Sequence, residues 1–275
     1  MNYRVVLLMF LMIFSGCKKT ITAPENPAPP FTYKLTDYYA ACEGNKIMYL
    51  HARDTAGIYQ IDLAGENKRL ILPSPVEVTF DWSSNLLVFS DGTVYKMNMD
   101  NQTVAALTDS NTTFYFPVIG PKDQKILVVQ PFQPDAGIWQ MDLDGQDLHK
   151  MIPDAKFPDY TVDGQKIVYL KFPKKIIVAD SSGQQFKEID GPGMEIRAVK
   201  ISADGAKIIF SSQAEGETPQ IWTVNADGSN MRQLTKSGGD FPAWTGDGRI
   251  VFTNTATGYL NMMDADGNGI TVITK

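Results

Sequence analysis

The chain has 275 residues, 43% of them hydrophobic, and carries 31 acidic against 25 basic side chains for a formal net charge of −6. That apolar content excludes wholesale disorder and can bury the core of one large domain or two small ones. No block of lysine and arginine occurs, and an acidic, unpatterned surface argues against a nucleic-acid partner.

The amino terminus reads MNYRVVLLMFLMIFSGCKK. Arg4 precedes an apolar run from Val5 to Phe14, followed by Ser15, Gly16 and Cys17. This is the plan of a secretory signal peptide over residues 1–16, too short for a comfortable membrane span. The Phe-Ser-Gly-Cys ending resembles the bacterial lipobox, in which leucine is commoner where Phe14 stands. The resemblance implies cleavage after Gly16, with the Cys17 thiol carrying diacylglycerol and its amine acylated. Several acyl chains on one residue anchor a protein stably without a transmembrane helix. In enterobacterial sorting an aspartate after the cysteine favours the inner membrane. Lys18 in that place suggests the periplasmic face of the outer membrane, given a diderm host. The other cysteine, Cys42, then has no disulfide partner and reads as a small buried residue in an apolar stretch.

Residues 17–30 form a spacer containing Pro24, Pro27, Pro29 and Pro30. At the polyproline II rise it reaches roughly 40 Å.

From residue 31 the chain repeats. Short apolar strands begin at Ile47, Leu87, Ile126, Ile167, Ile208 and Ile250, spaced by 40, 39, 41, 41 and 42 residues. Before each lies a strand and turn, such as FDWSSN, FPDYTVDGQ and FPAWTGDG. Asp163-Gly164, Asp204-Gly205 and Asp247-Gly248 supply hairpin turns. After each marker comes a third strand closing on Asp62, Asn98, Asp142, Asp180, Asn225 or Asp264. A fourth ends each unit at Leu70-Ile71, Leu107-Thr108, Met151-Ile152, Ile189-Asp190, Leu234-Thr235 or Ile273-Thr274. No capped helical pattern interrupts the series. Four-stranded units of this period predict an all-β, six-bladed β-propeller over residues 31–275. The blades span about 31–72, 73–110, 111–153, 154–190, 191–236 and 237–275. Residues 31–36, FTYKLT, either close the ring against the last blade or add an edge strand.

The runs IWTVNADGSNMRQLT and FPAWTGDGRIVFTN resemble the WD-like repeats of the TolB carboxy-terminal propeller, repeats that also occur beside the hydrolase domain of prolyl oligopeptidases. The resemblance covers nearly the whole mature chain and is strongest in repeats five and six. It implies envelope proteins as partners. The amino-terminal α/β domain of TolB has no counterpart here.

Catalytic constellations are thin. His51 and His149 lie in different repeats and read as surface loop residues. No HExxH zinc motif, GxSxG elbow or phosphate-binding loop occurs, so no catalytic residue, metal ligand or cofactor is assigned. Residues 264–269, DADGNG, match the start of an EF-hand loop, but its twelfth position is Lys275 rather than a bidentate glutamate. The same slot in other repeats is a hairpin turn.

In the innermost strand the residue before Trp82, Ile119, Tyr160, Ile201 and Trp244 is Asp81, Val118, Asp159, Lys200 and Ala243. An unpaired charge between blades is costly. Asp81, Asp159 and Lys200 are therefore expected to line the central channel, as wet filling or as a ligand site. Tyr59, Tyr95, Trp139 and Trp222 share a third-strand column that suits inter-blade packing better than sugar stacking. The functional expectation is a membrane-anchored envelope lipoprotein whose propeller is a non-enzymatic protein-interaction scaffold. The alternatives are a carbohydrate-binding or carbohydrate-active propeller and a small-ligand sensor using the channel.

Overall fold

A computed structural model describes residues 37–74, 78–121, 124–171 and 174–274. The signal peptide, Cys17, the tether and residues 31–36 lie outside the described residues. Every regular element described is a strand. The first sheet contains β1 (Asp37–Glu43), β2 (Lys46–His51), β3 (Gly57–Asp62) and β4 (Arg69–Pro73). The second contains β5 (Thr79–Ser83), β6 (Leu86–Ser90), β7 (Val94–Asn98) and β8 (Val104–Ala106). The third contains β9 (Tyr115–Ile119), β10 (Lys125–Gln130), β11 (Gly137–Asp142) and β12 (His149–Pro153). The fourth contains β13 (Ala155–Tyr160), β14 (Lys166–Lys171), β15 (Lys175–Asp180) and β16 (Gln185–Asp190). The fifth contains β17 (Glu195–Ile201), β18 (Lys207–Gln213), β19 (Gln220–Asn225) and β20 (Arg232–Gln233). The sixth contains β21 (Asp240–Trp244), β22 (Ile250–Thr253), β23 (Leu260–Met263) and β24 (Thr271–Val272).

Each sheet is an antiparallel meander in sequence order. The first strands β1, β5, β9, β13, β17 and β21 touch one another in turn, and β21 touches β1. The result is a closed six-bladed β-propeller. The second strand of each blade is an almost wholly buried apolar run, as in β10 and β14, because a neighbouring blade covers each of its faces. The buried clusters accordingly span neighbouring blades. Ile196, Val199, Ile208 and Phe210 of blade five, for example, pack with Val168, Ile176 and Val178 of blade four.

The fourth strands differ in one respect from the sequence reading. In blades two, five and six the ladder stops before the Leu-Thr or Ile-Thr pair, at Ala106, Gln233 and Val272. There the threonine hydroxyl takes over as acceptor. Thr108, Thr235 and Thr274 Oγ1 receive the N–H groups of Val94, Ile221 and Leu260 at 3.0, 2.9 and 2.9 Å.

Among the described residues each blade is one continuous stretch of chain, so side chains and loop backbone close the ring. Asp37 is the hub of that seam. Its N–H donates to Gly258 O at 2.8 Å, and its own carbonyl accepts Thr253 Oγ1 at 3.1 Å. Its carboxylate accepts Thr274 Oγ1 at 2.5 Å and lies 2.6 Å from His51 Nδ1. His51 is therefore not the surface loop residue expected. It ends β2, only 15% exposed, because the buried Asp37 carboxylate needs a second donor. His149 is half-exposed at the start of β12, with Nδ1 2.7 Å from Asp147 O.

Candidate functional site

The first strand of each blade lines the channel, and two rows of residues face its axis. In one row Ala41, Asp81, Val118 and Lys200 line the central cavity, and Asp159 and Ala243 hold the equivalent strand positions. These residues share a column because Ala41, Asp81, Asp159, Lys200 and Ala243 pair with Met48, Val88, Val168, Ile209 and Val251 of their second strands. First strands are sheet edges, so their outward N–H groups need partners from the next blade. Asp81 Oδ2 accepts Ile119 N at 2.8 Å, and Asp159 Oδ2 accepts Ile201 N at 2.9 Å. These are the same bond made by blades two and four. Lys200 Nζ donates to the other Asp159 oxygen at 2.9 Å.

Asp81 and Lys200 stand three blades apart and face each other across the ring. Burial pushes the Asp81 carboxyl up to about 6, against the pull of Lys200. Burial opposes the Lys200 charge, but the carboxylates of Asp159 and Asp81 hold its ammonium above the ordinary lysine value. Cys42, one residue beyond Ala41, has its thiol pushed up to about 12 by burial, so it is a poor nucleophile at neutral pH.

The second row was not recognised from sequence. Tyr39, Phe116, Phe157 and Phe241 all have positive φ, at 54°, 51°, 53° and 49°. Each lies in a register shift between the first and second strands of its blade. Each is a bulge residue followed by Ala40, Pro117, Pro158 or Pro242. A bulge re-aims a side chain, and these four rings turn into the channel to form a collar. Ring centroids are 4.4 Å apart for Tyr39 and Phe241, 6.1 Å for Tyr39 and Phe116, and 4.7 Å for Phe116 and Phe157. Blade two has no bulge and supplies Thr79, whose hydroxyl accepts Phe116 N at 2.8 Å. Blade five supplies Arg197 at its bulge. That guanidinium lies 5.9 Å from the Phe241 centroid, with Nε 2.9 Å from Asp240 Oδ2 and Nη1 3.0 Å from Gln213 Oε1. The available signal was the dipeptide Phe-Pro, present in three first strands.

Between the rows lies a cavity of about 80 Å³, lined by Asp81 and Lys200 together with the collar rings. Asp159 is not part of that lining; it is bonded to the Lys200 ammonium. The space is large enough for a few water molecules.

The third-strand aromatics Tyr59, Tyr95, Trp139 and Trp222 each pack against a core cluster shared by two neighbouring blades, as expected. Tyr59, Tyr95 and Trp222 stack on their cross-strand neighbours Tyr49, Phe89 and Phe210, and Trp139 meets Phe114 edge-on. Residues 264–269 form the β23–β24 hairpin. Asp264 N donates to Asn268 O at 2.9 Å, and Asp266 Oδ1 accepts Asn268 N at 2.9 Å. Among the described residues no group of three or more His, Cys, Asp or Glu side chains could hold a metal ion.

No protein-family profile matches the sequence. Solved structures with the same fold include a protein assigned as TolB from Agrobacterium tumefaciens, at 20% identity and a TM-score of 0.66 over 75% of this chain and 84% of that one. TolB from Acinetobacter baumannii matches at 18% identity and a TM-score of 0.69, over 82% of this chain and 62% of that one. An oligogalacturonate lyase in complex with manganese matches at 14% identity and a TM-score of 0.55, over 79% and 73% of the two chains. The chain has the six-bladed β-propeller fold, similar to that of the TolB structures. The matches include TolB and a lyase, so activity does not follow from the fold.

Proposed function

We propose that this protein is a lipid-anchored lipoprotein of the bacterial cell envelope whose propeller is a non-enzymatic scaffold for an envelope protein partner. The observation that carries the reading is the pairing of a lipobox-like Phe-Ser-Gly-Cys and a proline-rich spacer with a rigid, closed propeller. A disc on a tether of roughly 40 Å samples partners away from the bilayer, with its loops as the contact surface. The channel supports the same reading, because Asp159 and Lys200 satisfy each other and the rings of the collar pack on one another. In a diderm host the anchor sits at the periplasmic face of the outer membrane.

The test is fractionation and mass spectrometry of the mature amino terminus. The expected result is an acylated Cys17 peptide in the membrane fraction, and a Cys17→Ala variant that is neither acylated nor membrane-bound. An unmodified Cys17, or a variant that stays with the membrane, sinks the anchor. In-cell crosslinking then tests the scaffold. Reproducible crosslinks to one envelope protein support it, whereas melting shifts on an oligosaccharide panel without such crosslinks favour a carbohydrate-binding propeller.

A further inference from the structure

A groove of about 550 Å³ runs between blades four and five, on the face that carries the first and third hairpins of each blade. Lys166 at the start of β14, Phe186 and Lys187 in β16, Lys207 at the start of β18 and Asp227 in the β19–β20 hairpin line it. In this acidic chain the three lysines form a basic patch that the linear sequence hides, since about twenty residues separate each from the next.

Unpaired bases and an exposed ring occur together in this groove. A base also starts β2 and β10 and immediately precedes β22; Lys46 of β2 likewise makes no ion pair among the described residues, whereas the other two are neutralised. Lys125 bonds Asp142 at 2.5 Å, and Arg249 bonds Asp247 at 2.7 Å. Lys166, Lys187 and Lys207 make no ion pair among the described residues. Asp163, Asp204 and Asp227 are within electrostatic reach of them. Each of those carboxylates accepts a turn N–H through Oδ1, from Gln165, Ala206 and Ser229, and acts on the lysines without forming an ion pair. The exposed ring is the residue three past the glycine of the third hairpin. Leu148 and Met231 in that position pack against core clusters, whereas Phe186 is 58% exposed, as Ile270 of blade six is at 49%. Phe186 also lies in a register shift of β16, between Gln185 and Lys187. At six residues β16 is the longest of the outermost strands, with its outer edge unpaired.

We infer that this groove binds an extended acidic segment of a partner protein, one apolar side chain of which packs on Phe186 while its carboxylates meet Lys166, Lys187 and Lys207. An open edge strand supplies main-chain hydrogen bonds to such a segment, and the flanking side chains supply its specificity. The inference deepens the scaffold reading but does not need the anchor. Loss of acylation at Cys17 would leave it standing, and its own failure would leave the anchor untouched.

The test titrates the full-length chain in neutral detergent against a fluorescent peptide, Glu-Asp-Glu-Phe-Asp-Glu-Asp-Leu-Glu, read by anisotropy. The expected result is saturable binding that weakens with salt. Binding should fall at least tenfold in Lys166→Glu/Lys207→Glu and about fivefold in Phe186→Ser, with Lys171→Glu, outside the groove, unchanged. Each variant should keep the parental melting temperature within a few degrees. No binding, or binding indifferent to these substitutions, overturns the proposal. So does capture by the same lysines of phosphatidylglycerol vesicles or an oligonucleotide in place of the peptide. A sedimenting dimer that Phe186→Ser dissociates makes the occupant a second copy and also overturns it.

Discussion

The two rows that face the channel sit two residues apart on the same strands, yet they hold the ring together by different physics. In the collar, four aromatic residues adopt left-handed backbone, which costs non-glycine residues about 1 kcal/mol or more each. Ring-on-ring contact offsets that cost. In the charged row the backbone is relaxed, and the cost is desolvation of Asp81, Asp159 and Lys200. Bonds to backbone N–H groups of the next blade, and one ion pair, offset it. One row stores strain and the other stores charge. They should therefore respond to different perturbations.

The largest effect is expected from Lys200→Met, which leaves two carboxylates facing one channel. Breaking a buried pair from one side costs several kcal/mol, and solvent in the channel reduces this to roughly 2–4 kcal/mol. Urea midpoints should show the loss, with most of it restored in Lys200→Met/Asp159→Asn. A loss under about 0.5 kcal/mol, in the range of ordinary surface substitutions, would mean the row is solvated filling and the contrast collapses.

Phe116→Ala should cost about 2 kcal/mol, less than a fully buried phenylalanine because the ring is only partly buried. The sharper comparison is Phe116→Gly. At most strand positions glycine is worse than alanine, but at φ 51° it should be better by about 0.5–1 kcal/mol. The reverse order in thermal melts would show that the collar bears no strain.

Asp81 supplies a pH test. Its folded value of about 6 lies above its ordinary value of 3.8, so the native state binds the proton more tightly than the unfolded chain. The stability that Asp81 contributes is full below about pH 4 and is lost as pH rises through 6. Asp81→Asn keeps an acceptor for Ile119 N and should gain on the parent as pH rises. The gain at pH 8 relative to pH 4 is on the order of 2 kcal/mol. A difference that does not change with pH would place the carboxyl in open solvent. The smallest effect belongs to the β23–β24 hairpin, outside both rows. Adding calcium or a chelator should leave the melting temperature unchanged, and a calcium-dependent rise would reinstate residues 264–269 as a metal loop.

How much of this was legible follows from the range of each signal. The charged row could be found because a charge is conspicuous inside an apolar strand, so Asp81, Asp159 and Lys200 stood out by position alone. The collar could not, since an aromatic residue in a strand looks like core, and only the bulge turns Phe116, Phe157 and Phe241 towards the axis. His51 looks like a surface residue in the sequence for a related reason. Its partner Asp37 is near in sequence, but the demand for a second donor arises only when Thr253, Thr274 and Gly258 arrive from the far end of the chain.

The sequence by itself determined the repeat, the number of blades and the place of the first three strands of each blade, because apolar alternation and Asx-Gly turns act within a few residues. Tertiary structure decided how the ring closes on Asp37, which charges pair across it, and which lysines meet beside Phe186. Each of those depends on groups from different blades, and their contacts come into existence only when the ring is shut.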